Sequence, residues 1–175
     1  MVMLFLIAFA CVAPQSHTMT TKPIDNKDRA ILAALQHDAT QPVANIAAQV
    51  HLSTTACWKR IQRLQQSGVI KRQVCLLDRH KIDLGVTVFV SIRTNHHEPQ
   101  WLEEFAQGVS RFPEVVEFYR LAGETDYLLK VVVPDIEGFD RVYKALIRTV
   151  DLYDVSSSFC MEEIKYTTAM PLDHY

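Results

Sequence analysis

The sequence predicts an α+β protein in which a winged-type helix-turn-helix domain precedes a ferredoxin-like βαββαβ sandwich that dimerises through its sheets. Three observations predict this fold: three short amphipathic helices near the N-terminus, a basic outer face on the third, and a strand-helix-strand-strand-helix-strand order thereafter. We predict a helix-turn-helix domain at residues 22–77, a polar linker at 78–85 and a second domain at 86–175.

The first two helices are predicted from apolar spacing. In IDNKDRAILAALQH the apolar residues recur at helical intervals, and Asp25 and Asp28 fall in the first turn, where carboxylates interact favourably with the helix dipole. Pro42 suits a first helical turn, and VANIAAQV continues from it with the same spacing. Only three residues, from His51 to Ser53, then precede the third helix, which is typical of a helix-turn-helix.

The third helix is predicted between Ser53, a favourable N-cap, and Gly68, a favourable residue after the last turn. At 100° per residue, Cys57, Ile61 and Leu64 share one face, which we expect to be buried. The opposite face is basic and rich in amides, and it carries Thr55, Lys59, Gln62, Arg63 and Gln66. VIKRQVCLL then alternates as a strand leaving the unit.

The second domain is predicted from alternating strands and helices. VTVFVSIRT, VVEFYRL and YLLKVVV read as strands, and WLEEFAQGVSRF and IEGFDRVYKALIRTV read as helices. VSSSFCMEEIKYTTAM closes the domain as a long strand. Both helices then cover one face of an antiparallel sheet, so we expect a second copy of the chain to cover the other face.

The first 21 residues are interpreted as an N-terminal extension. The apolar opening MVMLFLIAFACVAP lacks the basic n-region of a signal peptide and is too short to span a bilayer. We therefore expect translation to start at Met19, with an export signal or a membrane-proximal segment as the alternative. The four cysteines lie far apart without metal-ligand spacing, which favours neither a zinc site nor a disulfide framework. A reducing cytoplasm is therefore predicted, with no membrane partner.

Charge divides the chain unevenly. Residues 20–72 hold eight Lys or Arg against three Asp, whereas residues from 86 onward hold eight Lys or Arg against fifteen Asp or Glu. The net charge of the whole chain is only −2. This asymmetry indicates a basic, polyanion-binding N-terminal part on an acidic body.

Three stretches carry a family resemblance: IDNKDRAILAALQHDA, LSTTACWKRIQRLQQSGVIKR, and LAGETDYLLKVVVPDIEGFD followed by SSFCMEEIKYTT. In this order they resemble the Lrp/AsnC family of transcription regulators, and CWKRIQRL, TNHH and MEEIKYTT most resemble the branch that responds to cysteine and controls its degradation. The resemblance implies a DNA-binding domain, a hinge and a ligand-responsive domain that dimerises through its sheets. It also implies dimers that assemble into octamers, with a small amino acid between dimers and no other cofactor.

Double-stranded DNA is the expected partner of the third helix. Its N-terminal end would enter the major groove, where Thr meets thymine methyl groups and Lys or Arg reaches guanine acceptors. Arg60, to one side, is expected to meet phosphate, and Trp58 either packs on the first helix or lines the DNA-facing rim. The predicted DNA-binding residues are Ser53, Thr54, Thr55, Lys59, Arg60 and Arg63.

The predicted effector site is the GETD turn. Backbone amides at a glycine turn can bind a carboxylate, and Asp126 can bind an ammonium group. The same residues are also ordinary hairpin chemistry, so the ligand role depends on the resemblance. The residues implied for a small amino acid, with cysteine the first choice and leucine-like or other amino acids the alternative, are Gly123, Glu124, Thr125, Asp126, Ser158 and Cys160.

Two other functions compete. An enzyme is disfavoured because no general base lies at motif distance from Cys57 or Cys160, and no catalytic residue is predicted. An amino-acid-binding adaptor that does not bind DNA is disfavoured by the basic third helix. His96, His97 and Glu98 suggest a metal, but neighbouring residues point apart, so a solvated loop is expected and no metal site is predicted.

Overall fold

The computed structural model describes residues 23–96, 98–149 and 153–173. The predictions for residues 1–21 lie outside the described residues. The chain divides into two compact units. The N-terminal unit comprises the described residues up to Val74 together with the tail from Thr168, and the C-terminal unit comprises Cys75–Thr167.

The N-terminal unit contains three helices, α1 (Asn26–His37), α2 (Val43–Gln49) and α3 (Thr54–Gln66). Asp25 caps α1, and the Ser53 hydroxyl accepts a hydrogen bond of 3.2 Å from the Ala56 amide at the start of α3. After α3 the backbone turns at Gly68, whose φ of 75° is accessible to glycine at little cost. The predicted start and stop of the third helix are therefore confirmed.

The core of the N-terminal unit forms where the apolar faces of the three helices meet. Cys57, Ile61 and Leu64 are all buried, as the helical spacing predicts. They pack with residues of α1, α2 and the following turn, namely Ile31, Leu32, Ile46, Ala47 and Val50. This packing exposes the opposite face of α3.

The turn between α2 and α3 contains a non-glycine residue in the left-handed region. His51 has φ of 53°, and its amide donates to the Ala48 carbonyl at 3.2 Å. The following amide, of Leu52, donates to Ala47 at 2.9 Å, which closes the turn. Left-handed backbone is unfavourable for residues with a Cβ, so the turn holds His51 in a strained conformation.

The C-terminal unit has the predicted βαββαβ order. Its elements are β1 (Val86–Arg93), α4 (Pro99–Val109), β2 (Val115–Arg120), β3 (Tyr127–Val133), α5 (Ile136–Thr149) and β4 (Asp154–Phe159). The strands form one antiparallel sheet in the order β2-β3-β1-β4. This is the ferredoxin-like arrangement that the sequence predicts.

Both helices of the C-terminal unit pack on one face of the sheet. The buried cluster joins alternate residues of β1 and β3 to apolar residues of α4 and α5, among them Val90, Leu129, Phe105 and Leu146. The other face carries more polar residues, including Lys130, whose ammonium group lies 3.1 Å from the Glu117 carboxylate. The Tyr166 ring also lies on this second face, with its centroid 5.5 Å from the Lys130 ammonium group.

Two predicted strands differ from the structure. VIKRQVCLL forms no strand, and the last strand ends at Phe159 instead of continuing to Met170. A strand needs a neighbouring strand for its ladder of backbone hydrogen bonds, and in the described part of the chain no strand pairs with residues 69–77 or 161–170. Among the described residues no helix is both long and apolar enough to cross a bilayer.

Candidate DNA-binding helix and effector turn

The first two turns of α3 present a polar surface. Ser53, Thr54, Thr55 and Lys59 are all exposed, and α3 contains no acidic residue. Trp58 is 52% exposed, so part of its indole ring is accessible at the surface, and the residue is not part of the helical core. The start of α3 therefore offers hydroxyl groups, an ammonium group and an aromatic ring on one accessible end of a helix.

Arg60 and Arg63 turn away from this surface toward α1. One terminal nitrogen of Arg60 lies 2.7 Å from Asp25 Oδ2 and 2.8 Å from Asp28 Oδ1, and Arg63 forms an ion pair with Asp28 Oδ2. The helical-wheel interpretation grouped Arg63 with Thr55 and Lys59 on the solvent side. A wheel locates the Cβ atom, whereas the long arginine stem carries its guanidinium group sideways onto the neighbouring helix.

Asp28 is the centre of this ionic cluster, which consists of Asp25, Asp28, Arg60 and Arg63. Its side chain is fully buried, and besides the two guanidinium groups it accepts a hydrogen bond from the Asp25 amide at 3.1 Å. In return, the Asp28 amide donates to Asp25 Oδ1 at 2.9 Å. A buried carboxylate is tolerated when it is paired in this way, and no described buried side-chain polar atom lacks a partner.

The ionic cluster also sets the protonation of Asp25. Its hydrogen bond from Arg60, followed by the bond from the Asp28 amide, lowers the pKa of Asp25 to about 2. The same pairing raises the pKa of Arg60. Both groups are therefore charged throughout the neutral range.

Lys27 adds a second link between α1 and the helix-turn-helix. Its ammonium group donates to the Val50 carbonyl at 2.6 Å, at the end of α2. Neither this contact nor the ionic cluster was predicted from the sequence. The available signal was the pair of acids three residues apart at the start of α1, matched by two arginines three residues apart in α3.

Cys57 has the environment of a packing residue. It is fully buried, and burial raises the pKa of its thiol, while the charge of Arg60 acts weakly in the opposite direction. A thiol with a raised pKa is a poor nucleophile. Cys75 is exposed and Cys160 is partly buried, and none of these three described cysteines forms a disulfide.

The GETD turn connects β2 to β3. Gly123 has φ of 142°, and a Cβ atom added there would meet no atom within 4 Å. Asp126 anchors the turn, because its amide donates to the Ile92 carbonyl at 3.0 Å and its Oδ2 accepts from the Thr94 amide at 2.8 Å. Gly123 and Glu124 are exposed, whereas Thr125 and Asp126 are partly buried. Asp126 Oδ1 accepts no hydrogen bond from a described residue.

Ser158 and Cys160 do not join the GETD turn within one chain. Tyr127, which follows the turn, aligns with Ile92 and, one strand further, with Val155, whereas Ser158 pairs with Phe89. Ser158 is thus two strands and three residues from the turn, about 14 Å by ordinary strand spacings. Cys160 lies further along, where its amide donates to Thr87.

The C-terminal tail completes the N-terminal unit. The Gln36 side chain donates to the Met170 carbonyl at 3.1 Å and accepts from the Met170 amide at 2.6 Å. Leu172 packs against the helical core. The tail, α1 and the turn after α3 line a mainly apolar, open pocket of about 560 Å³.

Metal-ligand residues show no cluster in the described part of the chain. No group of three or more His, Cys, Asp or Glu is arranged to hold an ion there. His96 Nδ1 lies 3.7 Å from Glu98, and its ring stacks on Trp101 with centroids 5.7 Å apart. His97 lies outside the described residues.

Comparisons with known proteins agree with this architecture. The AsnC-type helix-turn-helix domain matches residues 24–65, and the Lrp/AsnC ligand binding domain matches residues 87–170. The chain is 48% identical over 151 residues to the DNA-binding transcriptional activator DecR of Escherichia coli, which covers 86% of this chain and 99% of that protein.

Solved structures show the same fold. An AsnC family transcriptional regulator from Agrobacterium tumefaciens has a TM-score of 0.84 and 57% identity, covering 86% of this chain and 98% of that one. A Neisseria meningitidis transcriptional regulator in complex with L-Met has a TM-score of 0.82 and 32% identity, covering 87% and 99%. These relatives are transcription regulators and not enzymes, and the two domain matches in this order show that the chain belongs to the Lrp/AsnC family of DNA-binding transcription regulators.

Proposed function

We propose that the chain binds double-stranded DNA through the first two turns of α3. The observation that carries this proposal is the exposed polar end of a helix without acidic residues, formed by Ser53, Thr54, Thr55 and Lys59. In the major groove, the threonine methyl groups would meet thymine and Lys59 would reach guanine acceptors or phosphate. Arg60 and Arg63, which the sequence also predicts as DNA contacts, lie beside this surface and pair with the carboxylates of α1.

The C-terminal unit is proposed to bind a small amino acid at the GETD turn. Gly123, Glu124 and Thr125 offer backbone amides for a carboxylate, and Asp126 offers an oxygen for an ammonium group. The L-Met complex of the Neisseria meningitidis regulator supports an amino acid as the ligand class. Cysteine remains our first choice of effector, in line with the resemblance to the cysteine-responsive branch.

The effector site is proposed to lie between copies of the chain. Ser158 and Cys160 are about 14 Å or more from the turn of their own chain, so they would complete the site only from a neighbouring copy. Assembly is supported by large apolar side chains on extended segments, since Leu77, Met161 and Ile164 are 72%, 95% and 89% exposed. We propose that two copies form a dimer through their open sheet faces, and that four such dimers make an octamer in the cytoplasm.

One experiment tests this function as a whole. A duplex that binds the full-length protein is first selected from random-sequence DNA. The affinity of the protein for this duplex is then measured by fluorescence anisotropy, with and without each of the twenty amino acids. We expect selective binding of one DNA sequence class and a change of affinity with one small amino acid. Selection of no sequence at physiological salt, against competitor DNA, would contradict the DNA-binding proposal.

A further inference from the structure

The two arginines of α3 are already engaged by α1. Arg60 lies within hydrogen-bonding distance of Asp25 and Asp28, and Arg63 pairs with Asp28, which is fully buried. The four charges of the ionic cluster cancel, so it adds no net positive charge to a DNA-facing surface. A phosphate approaching either arginine would also approach a carboxylate, which is unfavourable.

We propose that Asp25 and Asp28 are positioning residues for DNA binding, and that Arg60 and Arg63 act through them instead of serving as phosphate ligands. This inference depends on the proposed function of α3. The carboxylates hold α3 at a fixed rotation about its axis, so that Thr54, Thr55 and Lys59 point into the groove together. Neither Asp25 nor Asp28 touches DNA in this account.

The carboxylates can fix the helix because they are themselves held. Asp25 and Asp28 each accept the backbone amide of the other, so neither side chain rotates without breaking the cap of α1. Arg60 and Arg63 are almost one helical turn apart, so their contacts restrain α3 at two points along its axis. Lys27, bound to the Val50 carbonyl, holds the preceding turn in place.

A small rotation of α3 would be enough to disturb DNA contacts. Side chains reach about 5 Å from a helix axis, so a rotation of about 20° moves the groups at that radius by roughly 2 Å. Hydrogen bonds to base edges lose most of their strength over such a displacement. Loss of the ionic cluster should therefore weaken binding even though it removes negative charge from a protein that binds a polyanion.

The test replaces Asp25 by asparagine in the full-length protein. Asparagine is as good an N-cap as aspartate, so Asp25→Asn keeps the cap of α1 and removes one of the two carboxylate charges that hold Arg60. The matched control is Asp38→Asn at the other end of α1, where the exposed carboxylate binds only Thr40 among the described residues. Both variants change the net charge equally. The affinity of each protein for a selected DNA duplex is measured well below its unfolding temperature.

We expect Asp25→Asn to weaken DNA binding by about threefold to tenfold, with an unchanged slope of log affinity against log salt. Asp38→Asn should leave affinity unchanged or slightly increase it. If Asp25→Asn binds as tightly as the unmodified protein, or more tightly, the positioning role is wrong. A purely structural role would lower the unfolding temperature without changing the affinity of the folded protein.

A double-mutant cycle separates positioning from direct contact. If Arg60 acts through Asp25, then Asp25→Asn combined with Arg60→Gln should lose no more affinity than Arg60→Gln alone. Fully additive losses would show that Arg60 contacts DNA independently and would overturn the proposal. Lys59→Gln tests the proposed function separately: if it leaves both affinity and salt slope unchanged, α3 is not the DNA-binding element, whatever the result for Asp25.

Discussion

Replacing Arg63 by alanine should destabilise the N-terminal unit, although helical periodicity alone places this residue on the solvent side of α3. The Asp28 carboxylate is 0% exposed, and the change removes one of its two guanidinium partners while Arg60 and the Asp25 amide remain. A hydrogen bond to a charged group contributes about 1.5–3 kcal/mol. Removing one partner of a buried ion pair costs about 3–5 kcal/mol when no other cation remains.

Because Arg60 still pairs with Asp28, we expect Arg63→Ala to lower the free energy of unfolding by about 2 kcal/mol. In a unit of this size that loss lowers the unfolding temperature by roughly 8 °C or more. The control is Lys59→Ala, since Lys59 is exposed and forms no ion pair with a described residue. It should change stability by less than about 0.5 kcal/mol.

The two tryptophans make the measurement specific to each unit. Trp58 lies in the N-terminal unit and Trp101 in the C-terminal unit, and the chain has no others. In a Trp101→Phe background, urea unfolding followed by fluorescence reports on the N-terminal unit alone. If Arg63→Ala and Lys59→Ala unfold within about 0.5 kcal/mol of each other, the contact with Asp28 does not stabilise the fold as described.

Four further outcomes follow from the same structure. His51→Gly should raise the free energy of unfolding by about 0.5–1 kcal/mol, measured by urea denaturation, because glycine accepts the left-handed turn without strain. Cys57→Ala should lower it by about 1 kcal/mol through lost packing, while the DNA affinity of the folded protein stays unchanged; a reversed pattern would mean that Cys57 faces DNA. Asp126→Ala should abolish the effector-dependent change in DNA affinity, and a full response in that variant would exclude the proposed site. The pKa of Asp25 is about 2 in the folded protein, against an ordinary value of 3.8. The ionised Asp25 carboxylate therefore stabilises the fold fully above pH 3.8, and this stabilisation is lost as the pH falls through 2. In pH-jump unfolding, the stability of Asp25→Asn should therefore fall less steeply with decreasing pH than that of the unmodified protein.

The positions of the helices and the order of helices and strands along the chain follow from local rules, so both could be predicted from the sequence. Ser53 and Gly68 bound α3 because capping and left-handed backbone are properties of single residues. Cys57 proved buried because the 3.6-residue period places it with Ile61 and Leu64. The βαββαβ order was predictable for the same reason, since each element carries its own hydrophobic period.

The contacts of long side chains, and the pairing of a possible strand with a neighbour, could not be predicted from the sequence. Arg63 reaches Asp28 on a helix 35 residues away in sequence, and no local pattern records where a guanidinium group ends. Helical periodicity left open whether Trp58 packs on α1 or lines the outer rim, and the buried core around α1 is completed without it. The segment VIKRQVCLL alternates like a strand, but pairing depends on a neighbour that the described chain does not supply.

The salt dependence of DNA binding reports directly on the phosphate contacts made by the protein. If each subunit of a dimer makes about three phosphate contacts, with Lys59 as one of them and the paired Arg60 and Arg63 not counted, the slope of log affinity against log salt is about −5. Lys59→Gln, which removes one contact per subunit, should flatten that slope by about 1.8. A slope near zero, or a Lys59→Gln protein with both affinity and slope unchanged, would contradict DNA binding through the exposed end of α3.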